Sequence, residues 1–358
     1  RMRKARQDWR FFGPISVVER RKVAQDQSLP DFEEVKAASG RIHGYAVRPP
    51  VIEAPVLNEI ARGRVLIKPE CLQRTGSFKF RGAWNCISQL DEADWPGGVV
   101  AYSSGNHAQG VAAAAQICGL PAVIVMPADT PQIKKDNTRR LGAEIVEYDR
   151  ASEAREVIAA ELASERKAAL VPPFDHPHII AGQGTAGLEI VEQLTEAAAR
   201  SGSDAPTRPS LVIVPIGGGG LVSGVAAAIR ALTPEAEVVG VEPEGAPKMT
   251  RSLEAGHPIT LDRVDTVADG LKPVRPGDLT FLHTAELVDR VVTVDDDAIR
   301  EAVLWCYGQR LVVEPSGAAT IAALMSGRVK SAPDGPTVAV LSGGNLDPEI
   351  LRAWLAPG

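Results

Sequence analysis

Lys79 lies in the stretch Thr75-Gly76-Ser77-Phe78-Lys79-Phe80-Arg81-Gly82-Ala83, where a charged side chain is out of place unless its amine is used. If a helix begins near Ser77, residues three and four apart share a face, and Lys79 lines up with Gly82, Ala83, Cys86, Ile87 and Leu90 on an apolar stripe. Burial lowers the pKa of an amine and frees a nucleophile that can form a Schiff base with a carbonyl. A lysine snorkelling from a helix end, its stem buried and its ammonium in water, gives the same pattern.

Three other loops carry groups that could serve such chemistry. Each follows the C-terminal end of a predicted parallel strand, where open α/β sheets bind ligands. Gly217-Gly218-Gly219-Gly220 stands between a strand and a helix, so several backbone N–H groups can turn toward one anion at the positive end of that helix. A compact phosphate suits this loop best. No register of 217–224 satisfies G-x-G-x-x-G, no P-loop lysine and hydroxyl follow, and a tight turn alone needs fewer glycines. Ser103-Ser104-Gly105-Asn106-His107 presents two hydroxyls, an amide and an imidazole at a helix start, a set suited to a carboxylate, whereas a bare cap needs one of them. Ser342-Gly343-Gly344-Asn345, alone, reads only as a polar turn. His176 and His178 flank Pro177 without further ligands at zinc spacing, and no G-x-S-x-G elbow supports a Ser/His/Asp hydrolase.

These loops need a scaffold, and the hydrophobic pattern is an alternation of strand and helix. It predicts a helix over 32–38, an extended Pro-rich passage over 49–55 and a strand at 65–67. After the break Pro96-Gly97-Gly98 come strands at 99–102, 122–126 and 144–148 with helices at 108–118 and 132–141. Beyond Pro172-Pro173 the pattern predicts a helix over 187–200, a polar loop over 201–210, strands at 211–214, 238–241, 291–294 and 338–341, and helices at 221–232 and 316–325. Asp295-Asp296-Asp297 reads as a helix N-terminus rather than a metal site. Residues 245–280 show little periodicity; they and the loop around Phe174 and Asp175 are expected to wall the pocket. Short units with short joints imply parallel pairing and right-handed crossovers. The fold class is therefore α/β with two open parallel-sheet domains: 30–96 with 177–358 as the larger and 97–176 as the smaller. Residues 1–29, highly charged and without a continuous apolar core, read as a poorly ordered extension rather than a signal.

The totals exclude other classes. A length of 358 residues suits about two domains. With 39 Lys and Arg against 45 Asp and Glu, and no basic block, neither nucleic acid nor an anionic membrane is an expected partner. No apolar run approaches the ~20 residues that span a bilayer. Cys71, Cys86, Cys118 and Cys306 form no CxxC pair, as expected of reduced thiols in a cytoplasmic protein.

Together these motifs resemble the pyridoxal-phosphate-dependent serine/threonine dehydratase family, which has the tryptophan-synthase-β-like fold (fold type II) and is related to serine racemase. The resemblance runs from about Pro30 to Trp354. It rests on Ser77 to Ala83, Ser103 to Gly110, Ala181-Gly182-Gln183-Gly184-Thr185, the four glycines, Glu314-Pro315-Ser316-Gly317-Ala318 and Ser342 to Asn345. It implies pyridoxal 5′-phosphate as cofactor, held by Lys79, which later moves the α-proton. Phe78 would be a cofactor contact, Asn106 would bond ring O3′, Gly217, Gly218, Gly219 and Gly220 would hold the phosphate, and Ser342 would face the pyridine nitrogen. Ser103, Ser104, Asn106 and His107 would receive the substrate carboxylate. Ser104 also matches the second acid/base of racemases, and a homodimer is implied.

A serine hydroxyl cannot hold a pyridinium as an aspartate would, so the ring nitrogen can stay neutral. That favours prompt loss of a β-leaving group, and the expected reaction is α,β-elimination of water from a 3-hydroxy amino acid such as L-threonine or L-serine, giving a 2-oxo acid and ammonia. The rival readings are a serine or amino acid racemase and a non-catalytic binding protein; 3-hydroxyaspartate, a phenylserine or a hydroxyectoine-derived diamino acid are alternative substrates. One departure stands out. Where racemase-like relatives bind a divalent cation with Glu242, the Ala246 carbonyl and an aspartate, this chain has Lys248, whose ammonium could pair with Glu242, so no metal is expected. The short run beyond the Ser342 turn, without an appended regulatory domain, fits a catabolic role.

Overall fold

The computed structural model describes residues 31–201 and 208–356, so the N-terminal extension and most of the predicted 201–210 loop lie outside it. Its strands are β1 (Ile52–Glu53), β2 (Val65–Pro69), β3 (Val99–Tyr102), β4 (Ala122–Pro127), β5 (Glu144–Tyr148), β6 (Ala169–Leu170), β7 (Leu211–Pro215), β8 (Glu237–Pro243), β9 (Arg290–Val294) and β10 (Thr337–Leu341). They form a six-stranded sheet, β1-β2-β10-β7-β8-β9, and a four-stranded sheet, β5-β4-β3-β6. Every pairing is parallel except β1 with β2. The central strands β2, β7 and β10 are buried at every position, which is why they read as continuous apolar runs rather than alternating ones. The α/β class with parallel sheets is thus the one expected from the pattern. Among the described residues no helix is long and apolar enough to cross a membrane.

Several elements depart from expectation, each for a physical reason. The predicted helix over 187–200 begins much earlier and spans Pro177–Ser201. Gly182, Gly184 and Gly187 disguised it, since glycine usually argues against helix. Here they admit neighbouring backbone: a Cβ at Gly182 would lie 2.7 Å from the Arg81 carbonyl oxygen, and one at Gly184 2.7 Å from that of Gly224. The Lys79–Ile87 helix is buried around its whole circumference from Phe80 onward, not along one stripe, and ends before Leu90. Helices Pro55–Ala61 and Arg155–Arg166 and the two-residue strands β1 and β6 had no sequence signal strong enough to predict them. The passage over 245–280 contains a helix, Lys248–Ala255, before it becomes irregular.

The Lys79–Ile87 helix is the pivot between the sheets. Phe80, Ala83, Trp84, Cys86 and Ile87 share an apolar core with β3, β4 and the Asn106–Cys118 helix. Arg81, on the same helix, turns instead to the six-stranded sheet. It donates to Glu70 through Nε and Nη2 at 2.8 Å and to Glu189 through Nη1 and Nη2 at 2.7 and 2.8 Å. Lys68 on β2 donates to Glu189 and to the Pro49 carbonyl, both at 2.6 Å. All four charged side chains are buried. At Arg81 burial opposes the charge, but Glu70 and Glu189 outweigh it and raise the guanidinium pKa.

Replacing Arg81 with Met would leave two carboxylates facing one buried ammonium. Urea unfolding of this variant is expected to show a loss of about 3–5 kcal/mol. A loss below about 1 kcal/mol, the scale of an exposed pair, would mean that the cluster contributes little.

Candidate active site

The loops that follow β3, β7 and β10 meet in one cavity of about 380 Å³. Phe78, Lys79, Ser103, Ser104, Asn106, His107, Gly217, Gly218, Gly219, Gly220 and Ser342 all line it, so the structure brings every residue expected from the sequence into one place.

Lys79 is fixed by its neighbours in the chain. Ser77 bridges to Gly343, the Phe78 N–H donates to the Ser342 carbonyl at 3.0 Å, and the Gly344 N–H to that of Gly76 at 2.8 Å. On the other side, Gly110 lets the Asn106–Cys118 helix approach: a Cβ there would be 3.1 Å from the Lys79 carbonyl carbon. The amine donates to the Pro173 carbonyl at 2.6 Å and lies 5.2 Å from the centroid of the Phe78 ring. Burial pushes its pKa down to about 8. At neutral pH that leaves more of the amine free than in an ordinary lysine.

The four glycines shape an anion cradle. Gly219 has φ +102°, and a Cβ at Gly218 would lie 2.2 Å from the Phe174 ring. Two of their carbonyls are taken: Gly218 O accepts from Thr280 Oγ1 at 2.6 Å and from the Gly277 N–H at 3.3 Å, and Gly219 O accepts from the Ser223 N–H at 3.0 Å. The first N–H groups of the Gly220–Leu232 helix have no partner within the helix and remain for a ligand. Asp175, beside Phe174, accepts the N–H groups of Asp278, Leu279 and Thr280 and so ties this wall to the Asp278–Leu287 helix.

On the opposite wall, Asn106 and His107 open the Asn106–Cys118 helix. His107 Nε2 donates to the Val171 carbonyl at 2.9 Å, while its Nδ1 has no partner among the described residues. Burial and the Lys79 charge push the imidazole down to about 3, so it is neutral, and an anion here meets its main-chain N–H rather than a cation. Asn106 Nδ2 donates to Glu314 Oε1 at 2.5 Å, and burial lifts that carboxyl to about 7. Ser342 Oγ lies 3.5 Å from the Ser316 carbonyl, at the outer limit of a hydrogen bond, so its hydroxyl can serve another partner.

Sequence reasoning missed Glu314 as a site residue, although it lay in a motif, and it missed part of the mouth. Tyr102, Arg150, Arg155, Asp269 and Lys272 line the cavity, with Val264 and Val274 from the irregular passage. Val264, Asp269, Lys272 and Val274 fall in the 245–280 passage, and Phe174 in the loop, that were expected to wall the pocket, so Tyr102, Arg150 and Arg155 are the unforeseen ones. Behind the glycines, Lys248 is wholly buried. Its ammonium lies 3.0 Å from Glu242 Oε1 and donates to the carbonyls of Ile216, Ala246 and Leu271 at 2.9, 3.3 and 3.1 Å. Among the described residues no cluster of three or more His, Cys, Asp or Glu side chains could hold a metal. Asp295 caps its helix through the Ala298 N–H, and Asp296 accepts from Thr266 and Val267.

An amine and an anion cradle in one cavity at parallel strand ends define an α/β protein built to hold a phosphorylated carbonyl compound. The comparisons with known proteins agree. The family model of pyridoxal-phosphate-dependent enzymes matches residues 44–343. An L-threonine ammonia-lyase of Thermotoga maritima is 42% identical over 333 residues, 91% of this chain and 78% of its own. An L-threo-3-hydroxyaspartate ammonia-lyase of a Pseudomonas species is 42% identical over 330 residues, 91% of this chain and 99% of its own. The structure of maize serine racemase superimposes with a TM-score of 0.84 at 38% identity, covering 91% of this chain and 96% of that one. The chain belongs to the pyridoxal-phosphate-dependent enzymes, and the crowded glycine cradle beside a low-pKa lysine fits that cofactor.

The neutral, buried His107 ties stability to pH. Its native pKa is about 3 against an ordinary 6.5, so the unfolded chain binds the extra proton between those values. Its contribution is full above pH 6.5 and is lost as pH falls toward 3. Urea midpoints of the cofactor-free protein are expected to fall through that window, with His107→Gln flattening the slope; an unchanged slope would assign the titration elsewhere.

Proposed function

We propose that this chain is an ammonia-lyase that eliminates water from a 3-hydroxy amino acid, giving a 2-oxo acid and ammonia. The observation that carries this reading is the Lys79 amine, its pKa near 8, in one cavity with an anion cradle and a carboxylate loop. The names of relatives that are ammonia-lyases for threonine and 3-hydroxyaspartate support it. When bound, the cofactor would draw electron density from the substrate Cα and make its proton removable.

The residues have separable tasks. Lys79 anchors the cofactor and, as an amine poised near neutrality, takes the proton from Cα. Gly217 to Gly220 hold the phosphate on N–H groups, and Ser342 faces the ring nitrogen without bringing a charge. The Ser103 and Ser104 hydroxyls and the N–H groups at the start of the Asn106 helix hold the carboxylate. Phe174, packed on Gly218, excludes water from the phosphate end. Ser104 keeps the racemase reading open, and oxo acid formed without enantiomer separates the two. Lys248 stands in for a metal ion behind the cradle.

Beyond the site, we infer a large unit of 30–96 with 177–358 and a small unit of 97–176, with the Lys79–Ile87 helix lending side chains to both. We also infer a homodimer formed through Leu72 and Val312, 53% and 51% exposed, with Tyr45 and Val47 beside them. The Val47 N–H donates to Gln73 Oε1, and the Val312 carbonyl and the Cys71 side chain border Gly344, which brings these segments near one another. Free thiols at all four cysteines fit a cytoplasmic setting.

Wild type loaded with pyridoxal phosphate is expected to show a visible absorbance band and release 2-oxo acid. Lys79→Ala should lose the lysine-linked band and about 10³-fold or more in rate. A wild type with no band would sink the reading. Chelation should leave the rate unchanged, and one tightly held Mg²⁺ or Ca²⁺ per subunit would defeat the role given to Lys248.

Substrate choice has its own test. Arg150, Arg155 and Lys272 line the cavity, and although each sits beside a carboxylate of the chain (Asp129, Glu156 and Asp269), a side-chain carboxylate of the substrate would compete for these cations. Arg155→Leu should therefore lower kcat/KM for 3-hydroxyaspartate about tenfold more than for threonine, the scale of one charge-assisted hydrogen bond. Equal losses on both substrates would show that Arg155 does not read the side chain.

A further inference from the structure

Glu314 occupies the N-cap of the Pro315–Met325 helix, yet its side chain makes no capping bond. Asp, Ser or Thr would serve that helix better. The carboxylate is turned into the cavity instead, where it meets Asn106. Gly343 leaves room for this pair: a Cβ there would lie 2.3 Å from Glu314 Oε1 and 3.1 Å from Asn106 Nδ2.

The pair is one end of a chain of hydrogen bonds whose direction cannot be reversed. At the other end is the Thr75 carbonyl, a main-chain oxygen that can only accept. Asn345 Nδ2 donates to it at 2.9 Å and donates its other hydrogen to Asn106 Oδ1 at 2.7 Å. The Asn106 oxygen is thereby spoken for, and its Nδ2 must face Glu314, an acceptor when ionised. One Asn106 N–H is left over. Thr75 itself holds φ +63°, uncommon for a β-branched residue, so the carbonyl that sets the direction is itself held by its surroundings.

We propose that Glu314 and Asn345 are positioning residues that lock the Asn106 amide from both sides, so that its remaining N–H is aimed at the ring oxygen of the bound cofactor. This rests on the reading that pyridoxal phosphate occupies the cavity with Asn106 at its ring. Neither residue touches the reacting atoms; each acts through Asn106. Because both hold one amide, removing either should free it, and removing both should add little.

The test is titration of the cofactor-free full chain with pyridoxal phosphate, reading the dissociation constant and the visible absorbance maximum, with melting temperature measured alongside. Glu314→Ala and Asn345→Ala are each expected to weaken binding about tenfold and to shift the maximum. The double variant should lose little beyond either single one. Glu314→Gln should restore wild-type affinity, since its amide oxygen can accept the same N–H. If Glu314→Ala fails to fold, Asn345→Ala and Glu314→Gln still decide the matter. Wild-type affinity and spectrum in Asn345→Ala, or losses that add in the double variant, overturn the relay while leaving the proposed function intact. A lowered melting temperature with an unshifted maximum would make both residues structural and also overturn it. A wild type that never forms the band overturns the functional reading and the relay with it.

Discussion

The paired charges Lys68, Glu70, Arg81 and Glu189 are the constraint on which the rest depends. Arg81 is two residues from Lys79, so the carboxylates that grip its guanidinium from two directions also fix where the Lys79 helix begins. One carboxylate follows β2 and the other lies on the Pro177–Ser201 helix, so the start of the Lys79 helix is clamped to the larger sheet. Such a cluster need not stabilise more than apolar packing would, but removing one partner leaves a buried charge uncompensated.

Three lysines, Lys68 and Lys248 buried and Lys79 partly so, show how that geometry bears on protonation. Lys68 has Glu189 and Lys248 has Glu242, and for both the carboxylate opposes the loss of charge that burial favours. Lys79 donates to the Pro173 carbonyl and lies over the Phe78 ring, without a carboxylate partner among the described residues, and burial lowers its pKa. Burial thus lowers all three amine pKa values, and at Lys68 and Lys248 a carboxylate works against that shift. What sets Lys79 apart is that, among the described residues, no carboxylate pairs with it as Glu189 pairs with Lys68 and Glu242 with Lys248.

The sequence revealed what is local. Strand runs such as 99–102 and 144–148, the glycine loop and the polar loops at strand ends carry their signal in adjacent residues, and their chemistry could be read from composition and position. What stayed hidden depends on partners distant in sequence. The first turns of the Pro177–Ser201 helix were masked because Gly182 and Gly184 answer to Arg81 and Gly224, not to their own helix. Glu314 looked like part of a motif without a task, since Asn106, its partner, lies 208 positions away. Arg150, which lines the cavity, comes from a loop whose course follows from packing rather than from any repeat.

The Lys248 cage has a further consequence. A bound metal ion exchanges with its surroundings, so any site that uses one reports the concentration of that ion whether or not this serves the cell. An ammonium joined to the backbone by four methylenes has no dissociation rate and no competitor. With its amine built into the Lys248–Ala255 helix, the contact with Glu242 and the carbonyls of Ile216, Ala246 and Leu271 beneath the glycine loop forms as the chain folds.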